Sequence, residues 1–474
     1  MAYGSLLQER RRALHGRIVE AIERLSPERL DEQAERLAYH ALRGEVWRKA
    51  LAYFRQAGVK AAARSVHREA VGYFEQALVA LQHLPEHHDT CEQAIDLRFS
   101  LRNALLPLGE HGRTFDHLRA AEALATALHD ERRLGRAYAY LAEYFRLMGD
   151  AARAVASGER ALALATALGD FALEVMATFF VGTAYRALGD YRRAADCFRR
   201  NAASLKGELV HERFGMTGLP SVMSRTMLVS CLADLGAFEE GTTRGEEAVR
   251  MAEAGDHPFS LTQAYFALGS LYLRKGDLSK AIPVLERGLG VCQIANIQTW
   301  FSTVAATLGY AFTLADRVAE ALPLLQPAAA QDLSRGITAA HARWVAYLSE
   351  AYLLTGRRDE ATSLARSALA FARDLKARGN EAYALWLLGE IHTHQAPLEV
   401  EAAEGAYRQA LAVAEELGMR PLLAHCHLGL GTLYTKVGRL APARAALSTA
   451  IDLFQAMEMT FWLPRAEAML AHTE

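Results

Sequence analysis

The chain keeps a helical beat, with apolar positions recurring one turn apart and the runs broken by brief turn signals. Each signal follows a small residue and an aromatic: YFRLMGD, YRALGDY, YLRKGDL, FTLADRV, YLLTGRR and YTKVGRL. The turn residues Gly149, Gly189, Gly236, Gly276, Asp316, Gly356 and Gly438 are spaced by 40, 47, 40, 40, 40 and 82 positions. The last interval is two repeats plus two residues, and its hidden turn falls in IHTHQAPLEVE, where Pro397 ends a helix. Each unit reads as a helical hairpin, about ten in all, and a hairpin buries its apolar stripe only against a neighbour. The expected fold is therefore all-α, a right-handed α-solenoid with a period near 40 residues and no globular centre. ALLPLGEHGRTFDHLRAAEAL continues the period before Gly149, and RGEVWRKALAYFRQAG and RSVHREAVGYFEQAL read as shorter hairpins near the start. The 47-residue interval carries seven extra residues, read as a loop insertion at 206–220 between an outer helix ending near Leu205 and an inner helix starting near Pro220.

Within LGSLYLRKGDLSKAIPVLERGL, Gly269 allows two helices to approach, Tyr272 fills the groove between them, and Ala281 and Leu285 return the contact. The same series recurs as Gly182, Tyr185, Gly189, Ala194, Phe198 and as Gly431, Tyr434, Gly438, Ala443, Leu447. This resembles the tetratricopeptide repeat signature, without its usual proline and with a longer period. The first eighty residues, with YGSLLQERRRALHGRIVEAIE and REAVGYFEQALVALQHLP, resemble the segment that follows the ATPase core and winged helix of STAND-type ATPases. ERFGMTGLPSVMSR, HPFSLTQAYFALGSLYLRKGDLSKAIPVLERGL and the ending YRQALAVAEELGMRPLLAHCHLGLGTLYTKVGR…MTFWLP are similar to the carboxy-terminal repeat region of bacterial proteins with class III adenylate cyclase and ATPase modules. The resemblance implies residues 1–34 as a helical joint, 35–474 as a tetratricopeptide superhelix, and a sensor or docking arm as the role. No G-x-x-x-x-G-K-[ST] phosphate loop and no cyclase region occur in the chain. It reads either as a separated arm working in trans or as part of a longer reading frame.

Composition narrows the class. Hydrophobic residues at 51% and charged ones at 23% supply a packed core and exclude a disordered chain. A net charge of -2 gives no global field for nucleic acid. No apolar stretch of signal-peptide type or of about 18 residues is read, so a cytoplasmic protein is expected. Cys91, Cys197, Cys231, Cys292 and Cys426 are scattered and read as reduced, mostly buried thiols.

Candidate chemistry is sparse. His392 and His394, and His425 and His427, do not converge on one ion from a helix, and His83, His87 and His88 read as a solvated cluster, so no metal is expected. H-E-x-x-H and G-x-S-x-G are both missing, and no enzyme and no cofactor is expected. The inner helix of each hairpin offers the concave face a mixed stripe: Arg136, Arg146, Phe179, Arg186, Phe266, Arg274, Tyr310, Arg343, Glu350, Trp386, Glu390 and His394. Aromatics among arginines suit an extended peptide with acidic groups, through apolar anchoring and bidentate carboxylate pairing. A merely solvated inner wall is the plain alternative. In HERFGMTGLPSVMSR, Arg213 and Arg225 flank a helix amino terminus that would attract an anion or partner beside Gly215 and Gly218, the alternative being a structural loop. The chain is thus expected to be a non-enzymatic scaffold for a protein or peptide partner, with an ATPase or cyclase module in cis or trans as candidate partner. The other reading is a solenoid that senses a nucleotide or metabolite.

Overall fold

The computed structural model describes residues 2–64, 66–216, 218–255, 257–295, 297–335, 340–395 and 397–473. Thr217 in the insertion and Ala396 in the IHTHQAPLEVE turn lie outside the described residues, as does Met1. Among the described residues the regular structure is entirely helical, and within each unit described below most consecutive helices pack against each other. The fold is a tetratricopeptide-like α-solenoid.

The pair Pro258–Lys275 and Leu278–Ile294 shows why the repeat folds as it does. Gly276 ends the first helix with φ 88°, a left-handed conformation that glycine adopts without a Cβ clash, and its N–H donates to the Leu273 carbonyl. Asp277 then caps the second helix by accepting from the Lys280 N–H at 3.3 Å. A Cβ on Gly269 would lie 2.6 Å from Leu285 Cγ, so the missing side chain sets the helix separation. Ala281 and Leu285 are fully buried against this groove, and burying the leucine alone contributes about 2 kcal/mol. Asp316 takes the same left-handed turn at φ 59° where other repeats use glycine.

The chain divides into two compact units, Met1–Leu141 with Ala163–Asp170, and Ala142–Leu162 with Phe171–Glu474. In the first, helix Ala2–Leu25 packs on helix Ala34–Arg43, with Val19 buried and the Glu23 carboxylate held by Lys49 and Tyr53, each at 2.6 Å. The two stretches read from sequence as separate short hairpins are instead single helices, Trp47–Ala63 and His67–Gln82. They pack on each other as one hairpin, because each apolar stripe needs the other for cover.

In the second unit the inner helices are Phe171–Leu188, Pro220–Leu235, Pro258–Lys275, Gln298–Leu314, His341–Leu354, Arg378–His394 and Arg420–Lys436. Contacts also link elements some 200 residues apart. Helix Phe171–Leu188 touches Arg378–His394, Pro220–Leu235 touches Arg420–Lys436, and Lys275 pairs with Glu458 at 2.9 Å. Gly189 abuts Leu417 and Gly236 abuts Met457, so this unit's repeats close back on themselves. Phe171–Leu188 is long and apolar enough to cross a membrane, contrary to the sequence reading, although Glu174 and Arg186 interrupt it. More than half of it is buried in the unit, as in a core helix.

Candidate functional site

Closure of the second unit turns most of the inner stripe inward. Phe179, Tyr310 and Trp386 are buried, while Phe266 packs half-buried on Trp300 with ring centroids 5.4 Å apart. Arg136 is placed apart from these, in the first unit, its guanidinium 5.2 Å over the Phe99 ring and its Nε–H donating to Tyr140 Oη at 3.3 Å.

Two clusters occupy the interior of the second unit. The first gathers around Asp234, whose residue is 3% exposed. Arg274 Nη2 lies 3.1 Å and Arg343 Nη2 3.9 Å from the same oxygen, Oδ1. Burial would raise the Asp234 pKa, but Arg274, Arg343 and Arg186 together hold it below the usual carboxylate value. Tyr191 faces the same groups: burial, then Asp234, raise its phenol pKa, and Arg343, Arg186 and Arg274 oppose the rise. Arg146 is pushed down to about 10 by burial and then by the like charge of Arg186. Asp234 thus reaches three of these arginines, Arg274, Arg343 and Arg186, while Arg146 meets the cluster through Arg186. Buried Arg146 Nε and Arg186 Nε have no hydrogen-bond partner, and Arg274 Nη2 faces Asp234 without a well-aligned bond.

The second cluster joins tyrosines to glutamates. Tyr310 Oη donates to Glu350 Oε2 at 3.0 Å and lies 2.7 Å from Tyr383 Oη, while the Tyr310 and Tyr347 rings stack at 4.0 Å. Burial pushes the Glu350 carboxyl up to about 7, with the Tyr310 hydrogen bond opposing and the Glu390 charge adding to the rise. Tyr407 Oη donates to Glu390 Oε1 at 2.8 Å. Beside them His425 sits among Trp386, Phe454 and Trp462, and burial, then Arg274 and Arg465, push its pKa down to about 3. It is neutral at pH 7.

Of the stripe, Arg146, Arg186, Arg274 and Arg343 are brought together, as are Tyr310 and Glu350. Asp234, Tyr191, Tyr383, Tyr407 and His425 were missed by the sequence reading. One signal for Asp234 was present: in CLADLG it stands two residues before the turn glycine, the place of Arg274 in YLRKG. His394 donates from Nδ1 to the Glu390 carbonyl at 2.8 Å, and His392 Nδ1 lies 2.6 Å from Glu399 Oε2. Among the described residues no group of three or more His, Cys, Asp or Glu side chains is placed to share a metal ion.

The loop arginines differ from expectation. Arg213 is exposed, but Arg225 is turned inward and 4% exposed. Its Nη1 donates to the Ser221 carbonyl at 2.9 Å, its Nη2 to the Ala202 carbonyl at 3.1 Å, and its Nε lies 2.9 Å from Glu247. A guanidinium so occupied holds the insertion in place and is not open to an anion at the loop. The amino terminus of helix Pro220–Leu235 is tied down too, with the Leu219 N–H donating to Ser260 Oγ at 3.1 Å.

Residues 262–293, most of the pair Pro258–Lys275 and Leu278–Ile294, match the tetratricopeptide repeat family. No curated protein matches the chain significantly. Among solved structures it is similar to a Rap protein complexed with Competence and Sporulation Factor, at 16% identity and a TM-score of 0.54 over 78% of this chain and 99% of that one. It is also similar to aspartyl phosphate phosphatase F from Bacillus subtilis, at 12% identity and a TM-score of 0.47 over 76% and 92% of the two chains. A third is a STAND protein with a tetratricopeptide repeat sensor from Pyrococcus horikoshii, at 12% identity and a TM-score of 0.45 over 81% of this chain and 55% of that one. The first likeness and the matched repeat together make this chain an all-helical protein of tetratricopeptide-like repeats.

Proposed function

We propose that the chain is a non-enzymatic interaction module whose second unit receives an acidic peptide segment of a protein partner against its inner helices. The observation that carries this is the convergence of Arg146, Arg186, Arg274 and Arg343 beside buried aromatics, with Asp234 set against Arg274, Arg343 and Arg186. Guanidinium forks pair with carboxylates bidentately, and aromatic rings anchor the intervening side chains. A protein of this fold has been solved with Competence and Sporulation Factor, which supports a regulator-binding role for such a scaffold. The sequence resemblance to cyclase-linked and STAND-type proteins supports a regulatory arm of a signalling ATPase or cyclase, with residues 1–34 as its joint and the 35–474 superhelix as its sensor.

The test is selection of acidic peptides from a display library on the full chain, followed by titration against wild type and Arg186→Glu/Arg274→Glu. A loss of about tenfold or more is expected. Unchanged affinity in a variant with wild-type helicity overturns the reading. A second reading, small-molecule sensing, is favoured by the closure of the second unit, which turns the arginines inward rather than onto an open groove.

A further inference from the structure

Burying a guanidinium without a partner is expensive, and the second unit does so repeatedly. Its four interior arginines come from four helices, Glu131–Leu147, Phe171–Leu188, Pro258–Lys275 and His341–Leu354. Arg274 and Arg343 share one carboxylate oxygen, and the Arg274 and Arg343 side chains are 16% and 21% exposed. Arg146 meets Arg186, which shares Asp234 with Arg274 and Arg343, and the Nε of each has no hydrogen-bond partner. Asp234 faces Arg274, Arg343 and Arg186, and Arg146 adjoins Arg186, so among the described residues the cluster carries an excess of positive charge in surroundings where water cannot fully screen it. Replacement of such buried charges by well-packed apolar residues is often neutral or stabilising, so their presence needs a use.

The excess decides the ligand. A single carboxylate cancels one charge, whereas a phosphate monoester or a pyrophosphate group cancels two or three and offers a guanidinium fork several oxygens. The idle Nε–H groups of Arg146 and Arg186 supply donors, and the Tyr191 hydroxyl lies within the same charge cluster. We propose that the second unit carries an interior oxyanion site for a phosphorylated small molecule, built by Arg146, Arg186, Arg274 and Arg343 and set in position by Asp234. This rests on the small-molecule reading above and names its ligand class. Asp234 is a positioning residue, orienting Arg274 and Arg343 while limiting the positive charge in the ligand-free state.

The experiment is a thermal-shift and calorimetric titration of the full chain with inorganic phosphate, pyrophosphate and a nucleoside triphosphate, without divalent metal and against sodium chloride of equal ionic strength. Pyrophosphate is expected to stabilise the chain with a dissociation constant of about 1 mM or lower. Arg146→Gln and Arg186→Gln are each expected to weaken it about tenfold, and Arg146→Gln to leave the ligand-free chain no less stable, because it removes a buried charge that Asp234 does not reach. Asp234→Asn is expected to tighten pyrophosphate binding severalfold, which a purely structural aspartate would not do. Should Asp234→Asn fail to fold, the two glutamine variants decide. Arg225→Met, whose guanidinium is held by Ser221, Ala202 and Glu247 outside this cluster, serves as the calorimetric control, with unchanged affinity even where its thermal midpoint falls. Absence of stabilisation by any of the three phosphates at about 10 mM, or binding undiminished in both glutamine variants, overturns the proposal. A phosphopeptide arm separates the sources: binding of the phosphopeptide without the small molecules also overturns it. Selected acidic peptides that bind where phosphates do not would leave the peptide reading standing and remove this one.

Discussion

Replacing Glu350 by glutamine tests whether the tyrosine cluster really sequesters an ionisable group. The carboxyl is pushed up to about 7 from an ordinary 4.5, mainly by burial, with Tyr310, Tyr383, Glu390 and Arg465 as the polar groups around it. A raised carboxyl pKa means that the folded chain binds the proton more readily than the unfolded one. The stabilising contribution is therefore complete below about pH 4.5 and is lost as pH rises through about 7. At 1.36 kcal/mol per pKa unit, the full loss is on the order of 3 kcal/mol above pH 8. Glu350→Gln keeps the shape and an acceptor for the Tyr310 hydroxyl but cannot ionise, so it should be close to wild type at pH 5 and more stable at pH 8. Repeat arrays do not unfold as a single unit, so the fitting assay is amide hydrogen exchange along helix His341–Leu354, comparing variant and wild type at the same pH. The ratio of protection factors should rise by up to about two powers of ten between pH 5 and pH 8. An equal ratio at the two pH values refutes the reasoning.

Two further outcomes follow from packing. Arg225→Met leaves the Ala202 and Ser221 carbonyls without their donor and removes one partner of Glu247, and should cost about 2–4 kcal/mol, seen as a lower thermal midpoint; an unchanged midpoint would show that the inserted loop does not depend on it. Gly429→Ala places a methyl group on the Tyr407 ring and should cost about 1–3 kcal/mol, whereas Gly405→Ala, with nothing within 4 Å of its Cβ, should stabilise helix Val400–Leu417 by roughly 0.5–1 kcal/mol. Equal midpoints for these two variants in denaturant would count against the packing at Tyr407.

The repeat was legible in the sequence because its determinants are local. A left-handed glycine at 276, a capping Asp277 and a side-chain-free Gly269 against Leu285 act within one hairpin, and the 40-residue spacing repeats them. The early hairpins were misread because Trp47–Ala63 and His67–Gln82 each carry an apolar stripe that a half-hairpin and a whole helix share. Which inner residues would meet was only half legible. Helical projection placed Arg146, Arg186, Arg274, Arg343 and Glu350 on inner faces, whereas Arg225 was set beside the inserted loop by its nearness to a helix amino terminus, which carries no information about depth.

The sequence by itself determined the all-helical class, the hairpin period and the identity of the turn residues, since each depends on contacts a few positions apart. Only the tertiary structure decided that Arg186, Arg274 and Arg343 share Asp234, that Glu350 is walled in by tyrosines, and that Arg225 points to backbone carbonyls. Those facts depend on how far each repeat rotates against the next. That rotation is set by packing summed over many hairpins, which brings residues some 200 positions apart into contact at Gly189, Gly236 and Lys275.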